Sequence, residues 1–185
     1  MEKQASQVEY EKRIGKTLIS EEQIQQAIKE AGEKISKLYD GRPILLVGIL
    51  KGSFVFMADL CRAINVPCQV AFMCVKSYFS GTESSGNVNV VMDLDVDVSK
   101  YHVVIAEDII DTGRTLKHLY NMIKERNPIS LTVVTLLDKK ERRVVEFTPD
   151  MALFEIPDYF VIGYGLDCDE KYRNLPYIAE YNLSI

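Results

Sequence analysis

No run of the chain is apolar for long enough to span a bilayer, and the polar start Met1-Glu2-Lys3-Gln4 leads into no apolar segment of the kind a secretory leader needs. The ending Asn182-Leu183-Ser184-Ile185 is not a peroxisomal tripeptide, so the expectation is a cytoplasmic protein with no membrane partner. Cys61, Cys68, Cys74 and Cys168 have neither the C-x-x-C pairing of a zinc site nor the density of a disulfide scaffold, which leaves reduced core thiols. A basic stripe is lacking as well. The net charge is -5 and the Lys and Arg residues are scattered, which argues against a nucleic-acid partner but not against a small phosphate-bearing one. The common nucleotide fingerprints fail too. Gly15-Lys16-Thr17 has Tyr10 where a P-loop needs glycine and no apolar strand before it, and no G-x-G-x-x-G spacing follows an early strand. There is no internal repeat.

What is present suits one compact domain: 185 residues, 47% of them hydrophobic, can bury a single good core. Residues 1 to 19 are polar and weakly periodic. Ser20-Glu21-Glu22-Gln23 then matches a capping box, and Ile24, Ala27, Ile28, Ala31, Ile35 and Leu38 recur at helical spacing, predicting a helix that ends near Asp40-Gly41. Ile44 to Ile49 is continuously apolar, as in a strand buried on both faces, and Leu50-Lys51-Gly52-Ser53 joins it to a helix through Phe54 to Ile64. Gln69 to Val75 reads as a strand and Val88 to Met92 as the returning arm of a hairpin. The Ser/Gly-rich loop between them, 76–88 with Ser77 and Tyr78 at its base, reads equally as a disordered hairpin or as a lid. Leu131 to Leu137 is a further buried strand ending in Asp138-Lys139-Lys140, and Tyr159 to Gly165 a last short one.

The chain is organised around Val103 to Leu116. An apolar strand runs into the carboxylates Glu107, Asp108 and Asp111, and then into the turn Asp111-Thr112-Gly113, from which a helix starts at about Thr115. A helix start offers unpaired amide N–H groups and attracts anions, yet negative charge surrounds this one; a sugar phosphate with hydroxyls satisfies both halves. Alternating strands and helices predict an α/β domain with a mainly parallel, twisted sheet, right-handed crossovers and helices on both faces. Ligands then sit outside the carboxyl ends of the strands, where Lys51, Asp111 and Lys139 emerge. A phospho-acceptor domain would need an acidic cluster after its first strand, where Leu50-Lys51-Gly52-Ser53 stands instead, and a dinucleotide dehydrogenase would need the missing glycine fingerprint.

Val103 to Leu116 resembles the phosphoribosyl-diphosphate signature of the type I phosphoribosyltransferases, and Glu107 to Thr115 resembles in particular the hypoxanthine-guanine branch of that family. Leu50-Lys51-Gly52, Lys76-Ser77-Tyr78, Lys139, Phe154 to Val161, Gly163-Tyr164 and Leu166-Asp167 extend the likeness in the same order along the chain. The resemblance implies a core over about residues 40–150 and a small hood made by the N-terminal segment and about 151–185. It implies transfer of the phosphoribosyl group of phosphoribosyl diphosphate to hypoxanthine or guanine, releasing pyrophosphate, with one or two Mg²⁺ ions. On this likeness Asp111, Thr112, Gly113, Arg114 and Thr115 hold the 5'-phosphate, and Asp111 is also the general base near N7 of the purine. Glu107 and Asp108 serve the ribose and the metal, and Asp167 a metal. Lys51, Gly52 and Arg173 take the pyrophosphate, Ser77 and Tyr78 ride on the lid, and Lys139, Phe160 and Val161 bind the purine. A cis Leu50-Lys51 peptide and a homodimer or homotetramer are further family expectations. The alternative from another class is a regulator that keeps this fold and binds RNA, which the missing basic face disfavours.

Overall fold

The computed structural model describes residues 8–77 and 88–184. Its main sheet is six-stranded in the order β4-β3-β2-β5-β6-β7. These are β2 (Ile44–Leu50), β3 (Cys68–Ser77), β4 (Val88–Met92), β5 (His102–Ile110), β6 (Ser130–Asp138) and β7 (Met151–Glu155). All neighbours are parallel except β4, which returns antiparallel along β3. The helices that cover its faces are α1 (Glu21–Tyr39), α2 (Phe54–Ala63) and α3 (Arg114–Lys124).

Strand periodicity divides the core between the two faces of this sheet. Ile44, Leu46, Val104, Ala106, Val134 and Leu136 point to one face, under Ile24, Ile28 and Ile35 of α1 and Phe56 and Leu60 of α2. Leu45, Val47, Val103, Ile105 and Val133 point to the other, under Leu116, Leu119 and Ile123 of α3. Residues 44 to 49 are all buried, as a strand covered on both faces requires. The capping box of α1 forms as its sequence predicts, Ser20 accepting from Gln23 N and Gln23 from Ser20 N.

Three expectations are corrected. Residues 14 to 19, which looked merely polar, form β1 (Ile14–Ile19), paired antiparallel with β9 (Ile178–Tyr181), which also pairs with β8 (Val161–Ile162) in a second sheet, the hood. Two register irregularities in the β1–β9 pairing break the alternation that would have announced β1. Second, β7 belongs to the main sheet, pairing in parallel with Val134 to Asp138. No strand is expected there from the sequence, because an apolar run of only four residues, Met151 to Phe154, leaves strand and helix undecided. Third, the strand expected over 159–165 shortens to Val161–Ile162, because Gly163, Tyr164 and Gly165 all take positive φ and turn the chain away. The rejected P-loop candidate Gly15-Lys16-Thr17 lies inside β1.

Candidate active site

Four loops meet beyond the carboxyl ends of β2, β5 and β6. The first is Lys51-Gly52-Ser53, entered through a cis Leu50–Lys51 peptide bond. Its backbone is pressed against its neighbours. A Cβ built on Gly52 would stand 1.6 Å from Asp108 Oδ2, and one built on Gly165 would stand 2.1 Å from the Gly52 carbonyl oxygen. Only glycine at both positions lets these three segments touch. Lys51 Nζ reaches Glu170 at 3.0 Å, and the Arg173 guanidinium holds Asp167 at 2.9 Å, Glu170 at 3.2 Å and the Gly165 carbonyl at 2.8 Å. Lys51, Gly52, Asp108, Asp167 and Arg173, far apart in sequence, thus form one group.

Glu107 and Asp108 lie near the carboxyl end of β5, and alternation along a strand sends adjacent side chains to opposite faces. Asp108 joins the group just described. Glu107 is 8% exposed and its Oε2 has no hydrogen-bond partner among the described residues. Burial, then the charge of Asp108, pushes the Glu107 carboxyl well above the usual range. Burial likewise pushes Asp108 up to about 6, with Asp167 adding to the rise and Arg173 and nearby backbone amides opposing it. An orphaned carboxylate oxygen and a pair of carboxyls that resist ionising describe a place that lacks positive charge. No group of three or more His, Cys, Asp or Glu able to cage a metal occurs among the described residues. The orphaned oxygen of Glu107 beside Asp108 fits a hard cation such as Mg²⁺, which keeps most of its coordination in water and substrate oxygens and touches a protein through one or two carboxylates.

The turn after β5 is shaped by Gly113, at φ 80°, which precedes α3. Among the described residues no side chain caps that helix with a good bond: Gly113 has none to offer, and the Thr112 hydroxyl reaches Arg114 N only at 3.5 Å. The first amides of α3 therefore face the turn formed by Asp111 to Thr115, a geometry suited to an anion. Arg143 braces the turn from behind. Its guanidinium donates to the Asp111 and Phe147 carbonyls and pairs with the buried Asp138, and Val144 N donates to the Thr112 carbonyl.

Asp111 does not cap the helix. Its Oδ1, closed off from solvent, lies 3.0 Å from Arg142 Nε and is paired with it by charge. Asp158, then Asp111, makes the Arg142 guanidinium hold its proton more tightly than usual. Lys139 follows β6, and its backbone N donates to the Ile110 carbonyl at 2.9 Å, which sets it beside Asp111. Its side chain is buried, with Nζ 3.6 Å from Asp158 Oδ1. Asp158 leads into Phe160, whose ring is 46% exposed and 5.5 Å from that of Tyr181, and into buried Val161. Apolar faces with a few convergent polar groups are what a planar heterocycle requires.

Of the sequence-derived residues, the structure brings Lys51, Gly52, Asp108, Asp167 and Arg173 together and sets Lys139 beside Asp111. Ser77 ends β3 with its side chain outside the described part, and Tyr78 with the rest of the lid lies outside the described residues. Sequence reasoning missed Asp138, Arg142, Arg143, Asp158 and Glu170. The pair Arg142-Arg143, three residues after Lys139, was the available signal; Asp158 and Glu170 carried none, because their partners are distant along the chain.

Residues 16–169 match the model of the phosphoribosyl transferase domain family. The chain is 51% identical over 166 residues to a hypoxanthine-guanine phosphoribosyltransferase of Streptococcus pneumoniae, covering 90% of this chain and 92% of that one. Against a protein of the same name from Lactococcus lactis it is 48% identical over 169 residues, covering 91% and 92%. A crystal structure of a hypoxanthine phosphoribosyltransferase from Staphylococcus aureus superposes with a TM-score of 0.90 at 44% identity, covering 94% of each chain.

Proposed function

From the premise that the chain belongs to the phosphoribosyl transferase family, we propose that it is a purine-salvage enzyme. It transfers the 5-phosphoribosyl group of phosphoribosyl diphosphate to hypoxanthine or guanine, giving IMP or GMP and pyrophosphate. The observation that carries this reading is the meeting of an uncapped helix start, a buried acidic pair with one orphaned oxygen, and a buried lysine beside a carboxylate at the ends of two adjacent parallel strands. The 5'-phosphate sits in the turn of Asp111 to Thr115, on the amides of α3 and the Thr112 and Thr115 hydroxyls. The ribose hydroxyls meet Glu107 and Asp108, and the pyrophosphate lies between Lys51, Gly52 and Arg173. Glu107, Asp108 and Asp167 would hold one or two Mg²⁺ ions, which would supply positive charge to offset that of the leaving group.

The base stacks on Phe160 with its edge at the Val161 backbone, and Lys139 donates to its O6. An ammonium rewards an oxygen there and repels the amine of adenine. As C1 of the ribose parts from pyrophosphate and N9 attacks, Asp111 takes the N7 proton, so the product base leaves neutral. The assembly is a homodimer or homotetramer in the cytoplasm; no helix among the described residues is long and apolar enough to cross a membrane. Mixed with phosphoribosyl diphosphate, Mg²⁺ and, separately, hypoxanthine, guanine, xanthine and adenine, the protein forms nucleotide and an equal amount of pyrophosphate with the first two. If neither yields product, the reading is wrong.

A further inference from the structure

Lys139 and Asp111 stand side by side at the ends of adjacent strands, joined through the Lys139 N to Ile110 O bond. On the reading proposed above, they address neighbouring atoms on one edge of the purine, O6 and N7. An ammonium and a carboxylate so placed attract each other, and a direct pair between them would occupy both groups before any base arrived. The structure shows no such pair: each is turned to a different partner. Lys139 Nζ faces Asp158 Oδ1 at 3.6 Å, the other oxygen of Asp158 accepts from Arg142 Nη1 at 3.2 Å, and Arg142 Nε lies 3.0 Å from Asp111 Oδ1. Charge therefore alternates along Lys139, Asp158, Arg142 and Asp111.

Local backbone holds Asp158 in its place in this chain. Tyr159 N donates to the Pro157 carbonyl at 2.8 Å, a three-residue turn with Asp158 at its centre, and Phe160 follows directly. The same turn that presents the stacking ring thus presents the carboxylate. Lys139 is only 7% exposed, and among the described residues Asp158 is its ion partner. Buried ammonium groups are kept by such partners, and losing one leaves an uncompensated charge.

We propose that Asp158 is a positioning residue that sets base specificity: it aims the Lys139 ammonium at the purine oxygen and, through Arg142, keeps Lys139 and Asp111 from pairing with each other. It acts through Lys139 and touches no reacting atom. This inference rests on the proposed 6-oxopurine transfer.

The test compares Asp158→Asn, Asp158→Glu and the wild type in the full chain, measuring KM for hypoxanthine, KM for phosphoribosyl diphosphate, and kcat/KM for hypoxanthine against adenine. Asp158→Asn raises the hypoxanthine KM about tenfold, as loss of one member of a partly buried charge pair does. It leaves the phosphoribosyl diphosphate KM within twofold and lowers the hypoxanthine-over-adenine ratio, while Asp158→Glu restores most of both. An Asp158→Asn protein with the wild-type hypoxanthine KM and ratio overturns the inference. So does one in which the two KM values rise together, which is the signature of general damage to the fold. A wild type that converts neither hypoxanthine nor guanine overturns the parent reading and the inference with it, so the two failures are told apart by the wild-type arm alone.

Discussion

Asp108 and Glu107 lie near the end of an apolar strand in a place where burial favours their neutral forms, so function here is held at the expense of stability. The sign can be worked out for Asp108. With its carboxyl pushed up to about 6, the folded protein binds a proton that the unfolded chain has already released between that value and the ordinary carboxylate range. Its contribution to stability is therefore full below the ordinary range and is lost as pH rises through 6. Asp108→Asn, neutral throughout, is predicted to be more stable than the wild type at pH 7.5 by roughly 1 to 3 kcal/mol. The advantage shrinks towards pH 4, and the KM for phosphoribosyl diphosphate rises. Thermal unfolding at several pH values checks this; an Asp108→Asn protein less stable at pH 7.5 would contradict it. Asp111 makes a different prediction, because it does not cap α3 and on the proposed reading its carboxylate moves a proton. Asp111→Asn should lower kcat by about a hundredfold to ten-thousandfold while phosphoribosyl diphosphate still binds. Steady-state kinetics beside equilibrium binding separates the two effects, and loss of binding with kcat intact would argue for a phosphate-holding role alone.

At the scale of elements, legibility follows burial. The continuous apolar runs of β2, β5 and β6 and the period of α1 are visible because each must satisfy a core on one or two faces. β1 and β7 are edge strands with half-exposed, irregular patterns, so their pairing is decided by distant backbone and not by their own residues. The same holds within the site. Glu107 to Thr115 is local and can be read off the chain, whereas the contacts of Asp158 with Lys139 and Arg142, or of Glu170 with Lys51, exist only once the loops meet. Gly165 shows how tightly they meet: it sits at φ 99° with no room for a Cβ beneath the Gly52 carbonyl. Gly165→Ala must push the Lys51-Gly52 loop away. It is predicted to cost on the order of 1 to 3 kcal/mol and to raise the KM for phosphoribosyl diphosphate, with the KM for the base little changed. An unaltered phosphoribosyl diphosphate KM would show that the loop does not serve the pyrophosphate.

Over the whole molecule, the two sheets divide the labour. On the proposed reading, the main sheet brings the groups for phosphate, ribose and pyrophosphate to the ends of its parallel strands, and supplies Asp111 and Lys139 for the purine edge. The hood supplies Phe160 and Val161, with β8 and β9 holding them opposite. On that reading the base is gripped between the sheets, which lets one set of residues carry the transfer while another decides what is accepted. The central claim is that this crevice transfers a phosphoribosyl group to a purine bearing oxygen at position 6. The most direct measurement is a competition in one vessel, with equimolar hypoxanthine and adenine, phosphoribosyl diphosphate and Mg²⁺, reading the two nucleotides by chromatography. The account predicts IMP with little or no AMP, and AMP as the main product, or neither nucleotide, would contradict it.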